Sequence, residues 1–345
     1  MSENNLAKPA ILMAIIVSIV VITWEFTLRN KGNKIAYDDG PPLWANKRAM
    51  VYEPSDKTVV FIGSSRIKYD LDIPTWESIT GCHAVQLAIE GSSPRPILED
   101  LANDPNFKGR LIVDITEGLF FSTRSGNRPK ENIEYFHGQT PAQKAGFWLN
   151  GLLESQLLLL DVENLSLNAQ LEALEIPSRN GVFMAPVFPS DFQQNTYERQ
   201  MYMTDRFLAD TNLQYRVKGI WAFFAAGRKG APPMPAEELT AIIESVKVAT
   251  DKIKARGGEV LFVRTPSSNT MLAGENMAFP RETHWERLLA ATNCQGIHFA
   301  DYPALDHFVC PELSHLSQQD AIVFTRHLAQ ILAREKGWKF PSTSF

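Results

Sequence analysis

A serine that closes a β-branched run, and an acid and a histidine three residues apart near the other end of the chain, are the side chains whose types suit nucleophilic chemistry. The serine is Ser65, which follows Thr58-Val-Val-Phe-Ile-Gly-Ser64; the others are Glu312 and His315 in Glu-Leu-Ser-His. A hydroxyl is a weak nucleophile until a base takes its proton, and an imidazole serves as that base when an acid orients it. The three-residue spacing lets the Glu312 carboxylate reach Nδ1 of His315 while Nε2 faces a serine at ~2.6–3.2 Å. Acyl transfer also needs N–H donors for the developing oxyanion. The amides of Ser65 and Gly91 are candidates, Gly91 because no Cβ blocks an approaching substrate. Each residue also has a plainer reading: Ser65 as the cap of a helix, and His315 as a solvent-facing histidine before one.

An α/β sheet must position these residues. Val59 to Ile62 are apolar on both faces, as in a strand buried between helix layers. His83–Ile89 reads as a second strand leading to Glu90-Gly91-Ser92, and Arg110–Ile115 as a third with Thr116-Glu117 at its carboxyl end. Glu259–Val263 makes a fourth, ending in Arg264, and Gly296–Ala300 a fifth. The pattern predicts a three-layer, doubly wound, parallel five-stranded sheet, whose carboxyl-end loops share one rim. Helices are expected over 74–79, from Pro94, from Pro235 with Leu239, Ile242, Ile243, Val246 and Ile253 on one face, and from Ser317, which forms a capping box with Asp320.

Residues 122–233 show no clear buried strand and read as a helical insertion, with helices over 142–160, 163–174 and 197–224. The first, carrying Trp148, Leu152, Leu153 and Leu157 to Leu160, reads as a core helix of the insertion; the other reading is a face against a membrane.

The amino terminus sets the compartment. Pro9 to Trp24 carries no charge, Phe26 and Leu28 extend the apolar stretch past Glu25, and no small-x-small cleavage site follows. The expectation is a tail over 1–8, an uncleaved transmembrane anchor over 9–28, a Gly-, Pro- and charge-rich linker over 29–56, one domain over 57–338 and a tail over 339–345. Lys8 before the span and Arg29, Lys31 and Lys34 after it favour a cytoplasmic body by local count, but long domains translocate largely regardless of such charges. The chemistry favours an extracytoplasmic, periplasmic body at the inner membrane.

The 345 residues, 44% hydrophobic and with a net charge of −5, suffice for a sizeable core and lack the Lys/Arg blocks of a nucleic-acid binder. Cys82, Cys294 and Cys310 form no CxxC pair, so no metal framework is expected; Cys294 and Cys310 would be the partners of a disulfide, with free thiols the other reading. The absence of a Gly-x-Gly-x-x-Gly or P-loop pattern argues against a nucleotide cofactor, and no cofactor is expected.

The ordered set Gly63-Ser64-Ser65, Gly91 and Glu312-x-x-His315 resembles the SGNH (GDSL-type) hydrolase superfamily of serine esterases and acyltransferases, over most of residues 57 to 335 outside the insertion. The resemblance implies Ser65 as nucleophile, His315 as base, Glu312 as its orienter, and the Ser65 and Gly91 amides as the oxyanion hole. It also implies envelope polysaccharide as substrate and a membrane-bound O-acyltransferase as partner. Two departures stand out: Ser64 and Glu312 replace aspartates of the pattern, and Thr116-Glu117 occupies the block where an Asn is usual. A carboxylate facing an oxyanion is repulsive unless protonated or turned away, so Arg66 or Arg264 would supply the missing donor. Arg66, Glu117 and Arg264 are thus candidate substrate-binding residues, with a salt bridge from Glu117 to Arg124 or Arg264 the preferred reading of that acid. Glu282-Thr-His284-Trp285 resembles the acid-x-His-Trp motif of alginate-acetylation SGNH-like proteins, but its place before the fifth strand reads as the start of a surface helix. His298 and His307 read as structural.

Overall fold

Alternate residues of β1 (Thr58–Ile62) enter opposite hydrophobic clusters: Val60 and Ile62 one, Val59 and Phe61 the other. The strand is therefore buried on both faces, as its unbroken apolar run predicts. The structure, a computed structural model, describes residues 6–123, 126–172, 174, 186–227, 230 and 234–342. Its contacts divide it into two units, residues 39–140 with 185–345 and residues 1–38 with 141–184.

The larger unit holds a parallel sheet of β1, β2 (His83–Gln86), β3 (Arg110–Asp114), β6 (Glu259–Arg264) and β7 (Gln295–His298), in the order β2-β1-β3-β6-β7. Counting only these strands in chain order, this is 2-1-3-4-5, and the direction of winding reverses beside β1. A separate antiparallel pair joins β4 (Gln194–Asn195) to β5 (Met201–Tyr202).

Helices flank both faces. α5 (Arg95–Asn103) and α12 (Ala236–Ala255) contribute to the cluster of Val60 and Ile62; α4 (Ile73–Thr80) and α15 (Gln318–Arg334) contribute to that of Val59 and Phe61. α12 buries Leu239, Ile242, Ile243, Val246, Ala249 and Ile253 at helical spacing. The Ser317 hydroxyl accepts from the Asp320 amide at 3.2 Å and donates to its carboxylate at 2.8 Å, starting α15 as expected. The remaining helices of this unit are α2 (Pro41–Ala49), α3 (Ser65–Asp70), α6 (Glu117–Phe120), α7 (Asn127–Gly138), α10 (Asp205–Ala209), α11 (Thr211–Ala226), α13 (Asn269–Ala278) and α14 (Arg287–Thr292).

Two expectations change in this unit. Residues 29–56, read as linker, contain α2, whose Trp44 is fully buried and donates its indole N–H to Leu87 O at 3.0 Å. Its charges are matched far along the chain: Arg48 by Asp100 at 2.8 Å and Asp104 at 2.9 Å, and Lys47 by Glu198. The stretch 197–224, read as one helix, holds β5, α10 and α11, because Thr204 and Asp210 each cap a new helix start, accepting from Phe207 and Asn212 amides. All three cysteines are free, the reading of the sequence that stood beside a Cys294–Cys310 disulfide.

The smaller unit contains α1 (Ala7–Asn30), α8 (Pro141–Glu154) and α9 (Leu167–Glu172). α1 is long and apolar enough to cross a membrane: 24 residues at ~1.5 Å each span ~36 Å. Its carboxyl-terminal turns pack Leu28 with Leu158 and Leu165. α8 ends at Glu154, short of the expected 160, and buries none of its residues, which overturns its reading as a core helix. The expected helix over 163–174 is reduced to α9, and residues 173 and 175–185 lie outside the described residues.

Candidate active site

From Thr58 to Ile73 every residue is buried except Ser65, which is half-buried at the first position of α3. A buried strand here delivers one accessible hydroxyl. The turn between them requires glycine: a Cβ on Gly63 would lie 2.7 Å from both Asp114 Cβ and Ile67 Cγ2, so the end of β1 meets the end of β3 without room for a side chain.

The His315 Nε2 atom lies 2.8 Å from Ser65 Oγ, across 250 residues of chain, and its Nδ1 lies 2.9 Å from Glu312 Oε1. The same carboxylate oxygen accepts the backbone N–H of His315 at 2.6 Å and of Ser314 at 3.0 Å, and Trp221 donates its indole N–H to Oε2. Burial opposes the charged form of Glu312, but the His315 ring and these donors together hold its pKa below the usual carboxylate value. An ionised carboxylate only accepts, so Nδ1 carries the imidazole proton and Nε2 is left to accept from Ser65. The Glu312–His315 turn is folded back by Leu313, whose φ of 87° is unusual for a residue with a branched side chain; its carbonyl accepts from Ser268 N at 2.8 Å.

α3 braces this arrangement beyond supplying Ser65. Tyr69, one turn on and so on the same face, sets its ring 4.4 Å from the His315 ring at a tilt of 40°, and Asp70 accepts the Leu316 amide at 2.9 Å. Phe192 and Trp221 complete an aromatic wall, with centroids 5.7 and 6.0 Å from the imidazole. Burial pushes the Tyr69 hydroxyl well above its ordinary range, with the Glu312 charge acting in the same direction, and burial likewise pushes Asp70 well up.

Gly91 takes the left-handed conformation, φ 61°, and space where a Cβ would sit is open. Its loop is tied to that of Ser65 by Ile89 N donating to Gly63 O at 3.3 Å. Among the described residues, the Gly91 amide donates to no acceptor.

The other candidates form a network of their own. Arg264 donates to Glu117 at 2.8 Å, as the preferred reading of that acid had it, and to Glu275 at 2.6 Å and Ser267 at 3.1 Å. Arg124, the other partner considered, lies outside the described residues. Arg66 bonds Glu275 and reaches Ser314 Oγ at 3.3 Å; its Nη1 is buried without an acceptor among the described residues. Both arginines are 1% exposed, so the structure commits them to internal carboxylates rather than to a surface ligand. Glu275 balances burial against the two guanidinium charges, and these lower its pKa to about 2. Trp285 is buried, and His284 packs edge-on against Phe121 and Phe279, so the Glu282–Glu286 turn anchors its helix.

Sequence reasoning missed Trp221, Tyr69, Phe192 and Glu275. Tyr69 alone carried a usable signal, standing four residues after Ser65 on a short helix. No family model matches the chain, and no match is found among curated proteins.

Proposed function

We propose that this chain is a membrane-anchored, SGNH-like serine O-acyl esterase or O-acyltransferase acting on cell-envelope polysaccharide, with its larger unit on the extracytoplasmic side. The hydrogen-bonded line from Ser65 through His315 to Glu312 carries the reading. In the proposed reaction Ser65 Oγ attacks the acyl carbonyl carbon as its proton passes to His315 Nε2. The ester C–O bond then breaks, the leaving alkoxide takes that proton, and acyl-Ser65 remains. Water or a sugar hydroxyl, deprotonated by His315, attacks the acyl carbon and releases Ser65; which of them arrives decides hydrolysis or transfer. The Ser65 and Gly91 amides are the proposed oxyanion donors. The pairing of Glu117 with Arg264 supports this reading, since it offsets a carboxylate that would otherwise repel the oxyanion.

A second reading, a catalytically degenerate SGNH-fold scaffold or polysaccharide-binding subunit, draws support from Glu117 standing where the family pattern has Asn. Treatment of the folded protein with a fluorophosphonate separates the two. The enzyme reading expects stoichiometric labelling that disappears in Ser65→Ala and slows severely in His315→Ala. Absence of label on folded wild-type protein, with Ser65 accessible, would establish the scaffold instead.

A further inference from the structure

α8 is amphipathic with its apolar side outward. At 100° per residue Trp148, Leu152, Ala145, Leu149, Ala142 and Leu153 fall within one arc of about 140°, while Gln143, Asn150 and Glu154 occupy the opposite side together with the half-buried Phe147. In a helix packed on a soluble core the apolar arc faces inward. Here Trp148 is 72% exposed, Leu149 54%, Leu152 56% and Leu153 46%. Such a contiguous patch marks an interaction surface.

The chain that follows α8 fixes where its end lies. Glu25, near the carboxyl end of α1, accepts the Leu158 and Leu159 amides at 3.2 and 3.1 Å, and Arg29 donates to Gln156 O at 2.6 Å. The end of α8, two residues before Gln156, is thereby held beside the turn of α1 that follows its uncharged run and the partly exposed Trp24. If α1 crosses a bilayer, this turn lies at the hydrocarbon boundary, the level at which tryptophan gathers and amphipathic helices lie flat. The exposed Lys144 borders the apolar arc beside Trp148, where it can meet anionic headgroups.

We propose that α8 is a second membrane element, lying in the headgroup–acyl boundary with Trp148, Leu149, Leu152 and Leu153 in lipid. Together with α1 it fixes the smaller unit against the bilayer surface at two points. This inference rests on α1 being a transmembrane anchor and is independent of the chemistry at Ser65.

The test uses the full chain reconstituted in vesicles of phosphatidylethanolamine and phosphatidylglycerol. Nitroxide labels are placed singly by Val17→Cys on α1, Trp148→Cys and Leu152→Cys on the apolar arc, Asn150→Cys on the polar side, and Met277→Cys on the exposed α13. The unsubstituted chain serves as the blank for the native cysteines. Accessibility to oxygen relative to a water-soluble nickel complex should be severalfold higher at 17, 148 and 152 than at 150 and 277. Lipid-like values at 17 with water-like values at 148 and 152 would overturn the placement of α8 while leaving the anchor intact. Water-like values at 17 would overturn the anchor and this inference with it. Labels at 148 and 152 that are shielded from both relaxants and broadened by labels on neighbouring chains would assign the face to a second copy, which also overturns it.

Discussion

Trp221 donates its indole N–H to the oxygen of Glu312 that His315 does not use. One carboxylate oxygen thus serves the imidazole and two backbone amides, the other serves an indole from α11, and a fully buried charge is satisfied at both ends. Trp221→Phe removes one of the influences that keep Glu312 ionised and leaves the opposing burial in place. Under the proposed mechanism the rate of fluorophosphonate labelling should fall by about 10- to 150-fold, as expected for loss of a hydrogen bond to a charge worth ~1.5–3 kcal/mol. Its acid limb should also move to higher pH, because a raised carboxyl pKa extends the range in which the acid is neutral. A pH profile of labelling that drops uniformly, without that displacement, would make Trp221 a packing residue only.

Glu312→Gln should be far more damaging than its small change in shape implies. An amide can turn an N–H toward Nδ1 and stabilise the tautomer whose Nε2 carries the proton, which cannot accept from Ser65. A loss on the order of 10⁴ in rate is expected by analogy with triad acids. Glu312→Asp, which keeps the charge, should retain more activity than Gln; equal rates for the two variants would refute an orienting role.

Gly63→Ala places a methyl 2.7 Å from Asp114 Cβ and Ile67 Cγ2, both held by the sheet and α3. Overpacking at such a site should destabilise by about 1–3 kcal/mol, read as a lower denaturant midpoint. Gly91→Ala meets no neighbour within 4 Å but must hold φ 61°, so its cost should be about 1–2 kcal/mol and conformational in origin. An unchanged midpoint in Gly63→Ala would mean that β1 and β3 do not close on one another at this turn.

Asp114, at the end of β3, has its pKa raised to about 6 by burial, against the influence of Arg66 and of the Thr265 hydroxyl at 3.0 Å. The folded state therefore holds this proton more tightly than the unfolded chain, whose value is near 3.8. The resulting stabilisation is complete below pH 3.8 and lost as pH rises through 6. Asp114→Asn imitates the neutral form at every pH, so its stability relative to wild type should rise by about 2–3 kcal/mol between pH 4 and pH 7. Urea titrations at the two pH values check this, and a wild-type-minus-variant difference that does not change with pH would contradict it.

What the sequence settled by itself is local. Strand runs, helix periodicity and the Ser317–Asp320 box are visible within a turn or two of chain because each depends on neighbours a few residues away. The Gly63–Ser65 turn and the Glu312-x-x-His315 spacing were legible for the same reason. Tertiary structure decided what these elements meet. Ser65 and His315 touch only because β1 lies inside the sheet while the segment before α15 returns to the same rim. The charged and Pro-rich 41–49 stretch read as linker because the acids that allow Arg48 to be buried lie more than fifty residues away. Arg66 and Arg264 looked available to a substrate until Glu275, on α13, occupied both. Likewise an apolar run in α8 signals a buried face in the sequence, but whether protein or something else buries it depends on which way the folded chain turns that face.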